Sequence, residues 1–307
     1  MSATAPFASS PAASQVATPV LPALFVSHGA PLFALDAGTT GPALTQWGER
    51  LRAAYPSLRG VVVMSPHWMA RTPQVMTGPQ PATWHDFGGF PQALYELQYP
   101  AAGSPGLAQE VLQHLQAAGI AAQGDAARPY DHGAWVPLMH LFPQADVPVV
   151  QVALPAGAGP ADVYAMGQAL QPLRERGVLL VGTGSMTHNL SEFFGGAREP
   201  APYVVEFSRW IESAVQRGDV KALLAYRSQA PHAARAHPTE DHFLPIFFAL
   251  GAAGDDLRVD YLSREVMYSM LAMDAFALQA AEARWPLRGH GLGIPGRAAH
   301  FQPRPCY

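Results

Sequence analysis

The amino-acid sequence predicts an α/β fold: a single domain with a mainly parallel or mixed central sheet flanked by helices, and an active site at the carboxyl ends of the strands. Short apolar runs rich in Val and Leu, bounded by Gly or Pro, alternate with segments of helical spacing. This alternation is typical of a sheet buried on both faces. The chain has 307 residues, 49% of them hydrophobic and 14% charged, so it can bury one large core.

Strands and helices are expected in the following order. Apolar runs predict five strands, at 21–26, 58–65, 147–154, 178–181 and 259–262. Helical spacing predicts a short helix or turn at 136–142, longer helices at 42–55, 107–118, 161–174, 203–217 and 219–226, and a closing helix at 269–283. Two loops dense in aromatic residues, Gly and Pro lie between these elements, at 83–100 and 128–135. Ordered loops of this kind often line binding sites.

The two ends of the chain differ in composition from its centre. Residues 1–20 are mostly Ala, Ser, Pro and Thr and predict a disordered arm, 21–284 form the folded domain, and 285–307 predict an irregular tail. No apolar run reaches the roughly 18 residues of a membrane span, and no secretory signal is expected. A net charge of −4 offers no basic surface for nucleic acid. The single cysteine favours the reducing cytoplasm.

Histidines are the main clue to function. Three of the twelve, His28, His67 and His188, each follow a predicted strand after a short turn. Because the carboxyl ends of parallel strands meet at one edge of a sheet, these imidazoles are expected to converge there. Imidazole is the commonest metal ligand and the natural acid/base near neutral pH. The pattern therefore predicts a metal site or an acid/base site.

A further histidine, His242, stands at the start of an apolar run. It is expected in the first turn of a helix, with Thr239 as the N-cap. Asp241 and Glu240 precede it and could supply a carboxylate, although adjacent helical residues point about 100° apart. His237, five residues earlier, is interpreted as a structural neighbour.

Other common catalytic motifs are missing or incomplete in the sequence. Residues 182–185 read Gly-Thr-Gly-Ser, which lacks the lysine of a P-loop and the full spacing of a dinucleotide fingerprint. The sequence contains no Gly-x-Ser-x-Gly, Cys-x-x-Cys or His-Glu-x-x-His motif. Metal chemistry through scattered histidines is the best-supported option.

Six motifs stand out when the sequence is taken as a whole. They are Ser27-His28-Gly29-Ala30-Pro31, Ser65-Pro66-His67-Trp68, His85-Asp86-Phe87-Gly88-Gly89-Phe90-Pro91, Tyr130-Asp131-His132-Gly133-Ala134-Trp135, Gly182-Thr183-Gly184-Ser185 leading to His188-Asn189, and His237-Pro238 leading to Asp241-His242-Phe243. In this order they resemble the class III extradiol ring-cleaving dioxygenases, in the branch of DOPA 4,5-dioxygenase. The resemblance covers about residues 22–283 and makes 21–284 the catalytic domain.

The resemblance implies a non-haem metal at which a catechol and O2 react, so that the ring is cut beside the diol. By motif position, the implied metal ligands are His28, His67 and His242. His188 matches the family's active-site base, and His132 is a second acid/base that positions O2 or a substrate hydroxyl. His85 and Asp86 are candidates for binding the polar side chain of the substrate, and Trp68 and Trp135 for pocket walls.

One departure within the family leaves two candidates for the metal. His242 stands where the protocatechuate 4,5-dioxygenase branch has a glutamate. Two histidines and a carboxylate suit Fe(II), whereas three imidazoles also match a catalytic zinc site. Fe(II) is the expected metal for activity, and Zn(II) is the alternative.

Two other functions use the same ligands. A zinc hydrolase would act on an amide or ester without O2, and a binding protein would keep a closed structural metal. The intact His132 and His188 argue against the second, because a structural site needs no acid/base pair. The expected partners are a small catechol and O2, without nucleic acid or membrane, in a monomer or small homo-oligomer.

Overall fold

The central sheet is mixed and has eight strands. The computed structural model describes residues 20–193, 199–255 and 257–280; the predicted tail and all of the predicted arm except Val20 lie outside them. The described strands are β1 (Ala23–Ser27), β2 (Gly60–Ala70), β3 (Gln74–Met76), β4 (Gln123–Asp125), β5 (Val149–Pro155), β6 (Val178–Gly184), β7 (Leu257–Ser263), β8 (Val266–Met267), β9 (Leu271–Ala272) and β10 (Ala275–Ala280).

The order of strands in the large sheet is β4-β3-β5-β2-β6-β1-β10-β7, and β8 pairs with β9 in a separate hairpin. The middle strands β5, β2, β6 and β1 are parallel to one another. Towards one edge β10 runs antiparallel to β1 and β7 antiparallel to β10, and towards the other β3 runs antiparallel to β5. The predicted α/β class with a mixed central sheet is confirmed.

Helices flank the sheet, as is usual where the central strands are parallel. They are α1 (Thr40–Ala54), α2 (Gln92–Tyr95), α3 (Pro105–Ala117), α4 (His132–Leu141), α5 (Pro160–Leu170), α6 (Pro202–Gln216), α7 (Val220–Leu224), α8 (Tyr226–Gln229), α9 (Ala233–Ala236) and α10 (Pro245–Ala253). Within the described ranges, no helix has the length and hydrophobicity needed to cross a membrane.

Helix α10 is buried along its whole length, because it packs on the sheet and also against α5. Glycines allow the two helices to approach closely. A Cβ on Gly251 would lie 2.0 Å from the carbonyl oxygen of Tyr164, and one on Gly167 would lie 2.2 Å from that of Phe248. This close packing fixes the position of α10 against α5. The turn that precedes α10 is fixed with the helix.

Three sequence-based expectations are wrong. The segment 269–283 does not form a closing helix: up to residue 280 it contains β9 and β10, and β10 fills the place between β1 and β7. Thr239 does not cap a helix and His242 does not lie in a first helical turn, because α10 begins at Pro245 and Leu244 is its N-cap. Strand β2 does not end before His67 but continues to Ala70.

Candidate metal centre and active site

Three histidines from distant parts of the chain meet at the carboxyl edge of the sheet. His28 is the first residue after β1, and its N–H donates to the carbonyl of Gly184 at the end of β6 (2.9 Å). His67 lies within β2. His242 stands in the turn before α10, where its carbonyl accepts from the N–H of Ser185 (2.7 Å). Backbone hydrogen bonds to the end of β6 therefore place two of the three imidazoles.

The Nε2 atoms of the three imidazoles face one another. Those of His28 and His67 are 3.2 Å apart, and those of His67 and His242 are 3.3 Å apart. One ligand atom from each residue lies within 4.8 Å of the others. Nitrogen ligands about 2.0–2.1 Å from one tetrahedral metal stand roughly 3.3 Å apart. The donor set and its spacing fit a metal held by three histidines.

Burial keeps the imidazoles of His28 and His67 neutral, which is the form that binds a metal. Burial and the nearby His67 lower the pKa of His28 well below its usual value. Burial and the nearby His132 likewise lower the pKa of His67. The Nδ1 atom of His28 is buried and has no hydrogen-bond partner in the described part of the chain. The polar interactions of this ring therefore depend on Nε2, the atom directed at the other two histidines.

Asp241 orients the third ligand. Its Oδ2 lies 2.5 Å from Nδ1 of His242, and this hydrogen bond, against the effect of burial, holds the pKa of Asp241 well below its usual range. With the proton of His242 on Nδ1, the lone pair is on Nε2. A carboxylate that fixes the tautomer of a ligating histidine is a common feature of metal sites.

His188 lies beside the cluster. Its ring stacks on that of His242, with 3.6 Å between centroids and 4° between planes. Its backbone N–H donates to the carbonyl of Ala236 (2.8 Å). Burial, followed by the nearby His242, lowers the pKa of His188 to about 3. The ring is therefore neutral near pH 7 and lies next to the metal centre.

His132 lies on the other side of His67, with 3.9 Å between the ring centroids. The backbone nitrogen and the ring Nδ1 of His132 are both 2.9 Å from Oδ1 of Asp86. Burial raises the pKa of Asp86, but the hydrogen bonds and charge of His132 outweigh this effect and lower it. These two residues and His67 also offer ligand atoms within 4.8 Å. Asp86 already binds His132, however, so this arrangement is one of an oriented acid/base.

The predicted substrate residue His85 belongs to an aromatic cluster. Its Nε2 donates to the carbonyl of Leu97 (2.9 Å), and its ring contacts those of Phe87, Tyr95 and Trp135 at centroid distances of 5.8 to 5.9 Å. Phe87 also meets the ring of His132 edge-on at 5.6 Å. The loop at 83–100 therefore places flat apolar surface directly beside the polar cluster.

The sequence reasoning missed several residues that support the histidines. Asp241 is expected from the sequence as a possible carboxylate ligand, whereas in the structure it binds Nδ1 of His242; the adjacency of the two residues is a usable signal for this contact. Arg128 and Ser65 both contact the backbone of His67. Arg128 lies 61 residues from His67 in the sequence, and Ser65 reaches the N–H of His67 only because β2 is irregular there. Neither contact therefore has a local sequence signal.

Comparisons with known proteins agree with this geometry. Residues 22–277 match the family described as the catalytic LigB subunit of aromatic ring-opening dioxygenase, and the chain belongs to this family. It is 36% identical over 240 residues to a 4,5-DOPA dioxygenase extradiol of Beta vulgaris, covering 78% of this chain and 89% of the relative. With a protein of the same name from Escherichia coli (strain K12) it shares 35% identity over 236 residues, 76% of this chain and 85% of the relative.

A solved structure supports the same fold. The crystal structure of an uncharacterized protein from Escherichia coli K12 superposes with a TM-score of 0.67 at 28% identity, covering 84% of this chain and 99% of the other. The protein is thus a metal-dependent extradiol ring-cleaving dioxygenase that takes a small molecule and O2. The resemblance to this class is confirmed, and the alternative of a zinc hydrolase is not favoured.

Proposed function

We propose that the protein uses Fe(II), held by His28, His67 and His242, to cleave a catechol with a DOPA-like side chain. Both atoms of O2 enter the product as one ring bond beside the diol is broken. The observation that carries this proposal is the convergence of three imidazole Nε2 atoms at 3.2 and 3.3 Å. The names of the relatives from Beta vulgaris and Escherichia coli support the choice of substrate.

Iron is proposed over zinc because ring cleavage by O2 requires electron transfer. Bound Fe(II) would supply a redox-active Lewis acid at which catecholate and O2 react, whereas zinc has no accessible change of oxidation state. Three neutral imidazoles also leave the site one unit more positive than two histidines and a carboxylate. This added charge favours an anionic catecholate.

Two histidines handle the protons in this proposal. His188, whose ring is neutral because burial lowers its pKa, accepts a proton from a catechol hydroxyl and returns it during ring opening. His132 is oriented by Asp86 through Nδ1 (2.9 Å), which leaves Nε2 for a hydrogen bond to a substrate hydroxyl or to O2. Asp86 thus acts through His132.

The aromatic cluster is proposed to bind the rest of the substrate. Phe87 and Trp135 offer flat surface to the catechol ring. His85 uses Nε2 for its bond to the carbonyl of Leu97 (2.9 Å), so its Nδ1 is left as an acceptor. An acceptor at this position suits the ammonium group of a DOPA-like side chain.

The finer assignments of domain and location also belong to this proposal. We assign the catalytic domain to residues 21–284, in agreement with the family match over 22–277. The chain contains one cysteine, which suits a reducing, cytoplasmic compartment. Such a compartment would also keep iron as Fe(II).

The test is to measure metal content and O2 consumption together. Metal-free protein is loaded with Fe(II) or Zn(II) and offered catechol, DOPA and protocatechuate, with and without O2. The expected result is one O2 consumed per DOPA, a yellow product, activity with Fe(II) alone, and none without O2. Turnover with Zn(II), or turnover that continues without O2, would exclude the proposal.

A matched pair of variants locates the metal. His28→Gln is expected to lose metal and activity together. His232→Gln is the control, because His232 is exposed and paired with Glu206, and it should retain both. Full metal content in His28→Gln would contradict the assigned ligand set.

A further inference from the structure

His67 occupies an irregular part of its strand. The pairing of β2 with β5 passes from Ser65 opposite Ala153 directly to Met69 opposite Leu154. Three residues of β2 between these points, 66–68, therefore have no counterpart on β5. A bulge of this kind leaves backbone groups without ladder partners and redirects a side chain. The proposed ligand His67 stands at the centre of the bulge.

Other groups bind the backbone of His67 instead. Its N–H donates to Oγ of Ser65 (3.2 Å), and its carbonyl accepts from the guanidinium of Arg128 (3.2 Å). The same guanidinium lies over the rings of Trp68 and Trp84, at 4.8 and 5.1 Å from their centroids. The position of His67 thus depends on two side chains, Ser65 and Arg128.

Both side chains are bound by Asp131. Its carboxylate is fully buried and accepts four hydrogen bonds, from Oγ of Ser65 (2.7 Å), a guanidinium nitrogen of Arg128 (2.8 Å), Nε2 of Gln151 (2.5 Å) and the N–H of Ala134 (3.2 Å). A buried charge with a cationic partner and this many donors is held in one geometry.

Asp131 is also the N-cap of α4, the helix whose first residue is His132. The start of α4 packs tightly on the bulge: a Cβ on Gly133 would lie 2.3 Å from Oγ of Ser65 and 2.7 Å from Cδ2 of His67. One carboxylate therefore connects two parts of the site, the metal-ligand side at His67 and the acid/base side at His132.

We propose that Asp131 is a positioning residue that sets the relative placement of the ligand His67 and the acid/base His132. It acts on His67 through Ser65 and Arg128, and on His132 through the start of α4. The inference rests on the proposed function, because it takes His67 as a ligand. It adds that the buried network around Asp131 holds the ligand geometry.

A simpler role for Asp131 would be helix capping alone, and the chain offers a matched control. Asp219 caps α7 with the same bond, from the N–H three residues on (Ala222, 3.0 Å), and takes no part in the site. Serine is as good an N-cap as aspartate. Asp131→Ser keeps the cap of α4 but cannot reach Ser65, Arg128 and Gln151 together. Asp219→Ser makes the same exchange on a helix that carries no site residue.

The experiment titrates metal-free protein with Co2+, whose visible absorption reports the number and arrangement of its ligands. The dissociation constant is measured by competition with a chelator for the wild type, Asp131→Ser, Asp219→Ser and Ser65→Ala. Ser65→Ala cuts the contact between Asp131 and the N–H of His67 without leaving the charge of Arg128 unpaired, so it remains informative if Asp131→Ser does not fold.

Asp131→Ser and Ser65→Ala are expected to bind Co2+ about 10- to 100-fold more weakly than the wild type, the usual effect of losing an outer-shell partner. Their absorption bands are expected to change, and those of Asp219→Ser are not. With saturating Fe(II), Asp131→Ser should lower kcat more than it raises KM, because the start of α4 stays capped but loses its bonds to Ser65 and Arg128, so that His132 shifts relative to His67.

Wild-type affinity and spectrum in both Asp131→Ser and Ser65→Ala would overturn the proposal while leaving the proposed function intact. If Asp131→Ser alone matched the wild type, Asp131 would be only a cap and the proposal would also fail. A wild-type protein that binds no Co2+ would overturn the proposed metal centre itself, and the inference with it.

Discussion

At the scale of single residues, the role of several imidazoles depends on the hydrogen bond that one ring nitrogen makes. His242 faces Asp241 through Nδ1 and His132 faces Asp86 through Nδ1, so both leave Nε2 towards the site. His237, only five residues before His242, instead uses its Nε2 on the carbonyl of Met186 (2.8 Å). That contact makes His237 part of the structure of the turn. The sequence places both histidines near one another but does not contain this difference.

Convergence of His28, His67 and His188 could be predicted from the sequence, because strand ends of a parallel sheet share an edge; His242 and His132 are added by an expected helix start and by the family resemblance. The partners that support these histidines could not be predicted. Asp131 reaches Ser65 and Gln151 across 66 and 20 residues, and such contacts depend on the exact strand register. A single chain carries no local signal for them.

The bond between Asp241 and His242 yields the first prediction. Asp241→Asn keeps an oxygen that can accept from Nδ1 but removes the negative charge that makes His242 a stronger ligand. We expect metal affinity to fall about tenfold, at the lower end of outer-shell effects, as measured by chelator competition. Glu240→Gln is the control, because Glu240 binds the hydroxyl of Tyr226 (2.8 Å). Equal metal affinity in Asp241→Asn and the wild type would argue against this role.

The second prediction concerns His188. His188→Gln preserves the size of the side chain over His242 but cannot exchange a proton near neutral pH. We expect kcat to fall about 10²- to 10⁴-fold, the usual range for an acid/base residue, with unchanged metal content by elemental analysis. Near-normal turnover in this variant would show that the proton passes elsewhere, and loss of metal would show that His188 is a ligand.

At the scale of elements, local preference and final structure disagree most clearly at the end of the described chain. The segment from Leu271 to Ala280 is rich in Leu, Ala and Met, which favour helices, and a helix was expected. In the structure its second part is β10, paired antiparallel with both β1 and β7. Pairing across a sheet outweighs local propensity. The strand partners lie more than 200 residues apart for β1, which no local pattern reveals.

Helix α10 shows how a buried element is held at its far end. The guanidinium of Arg174 is buried and donates to the carbonyls of Ala252, Ala253 and Leu21, at 2.9, 2.7 and 2.6 Å. Two of these oxygens belong to the last turn of α10, where carbonyls lack partners within the helix. Burial lowers the pKa of Arg174 to about 10, so the side chain stays charged at neutral pH.

The third prediction follows from this contact. Arg174→Met fills similar space but leaves three carbonyls without a donor, and each buried polar group left unsatisfied costs about 1–3 kcal/mol. We expect the free energy of unfolding to fall by about 3 kcal/mol, measured by urea denaturation. Arg176→Met is the control, because Arg176 is exposed and pairs with Glu110 at the surface, where such pairs contribute about 0–1 kcal/mol. Equal losses in the two variants would refute the argument.

At the scale of the whole molecule, the fold buries neutral histidines at one edge of the sheet and also buries an acid, Asp274. Burial lowers the pKa of His28 and His67, and that of His188 and His237 to about 3. Burial has the opposite effect on Asp274, whose pKa it raises to about 7. The two kinds of group therefore change the stability of the metal-free protein in opposite directions as pH varies.

The direction of each contribution is fixed by linkage. An imidazole with a lowered pKa binds fewer protons when folded, so its contribution is complete above the unfolded value of about 6.5 and is lost as pH falls towards 3. Asp274 binds a proton more tightly when folded, so stability declines as pH rises from about 4 to 7. Burial also lowers the pKa of a fifth histidine, His140, so the histidines outweigh the one aspartate between pH 4 and 6.5.

The fourth prediction is that the metal-free protein loses stability on acidification below pH 6.5. A single group that is protonated only in the unfolded state contributes a slope of about 1.4 kcal/mol per pH unit. With several such groups opposed by one, we therefore expect the free energy of unfolding to fall by several kcal/mol between pH 7 and 5, measured by urea denaturation. His237→Phe should have a shallower slope, because it removes one of these imidazoles without touching the proposed ligands. Asp274→Asn should have a steeper slope, because it removes the group that opposes them.

If stability were constant or rose on acidification, the histidines would not be buried in the neutral form, and the view of this edge as a neutral site ready to bind a metal would be wrong.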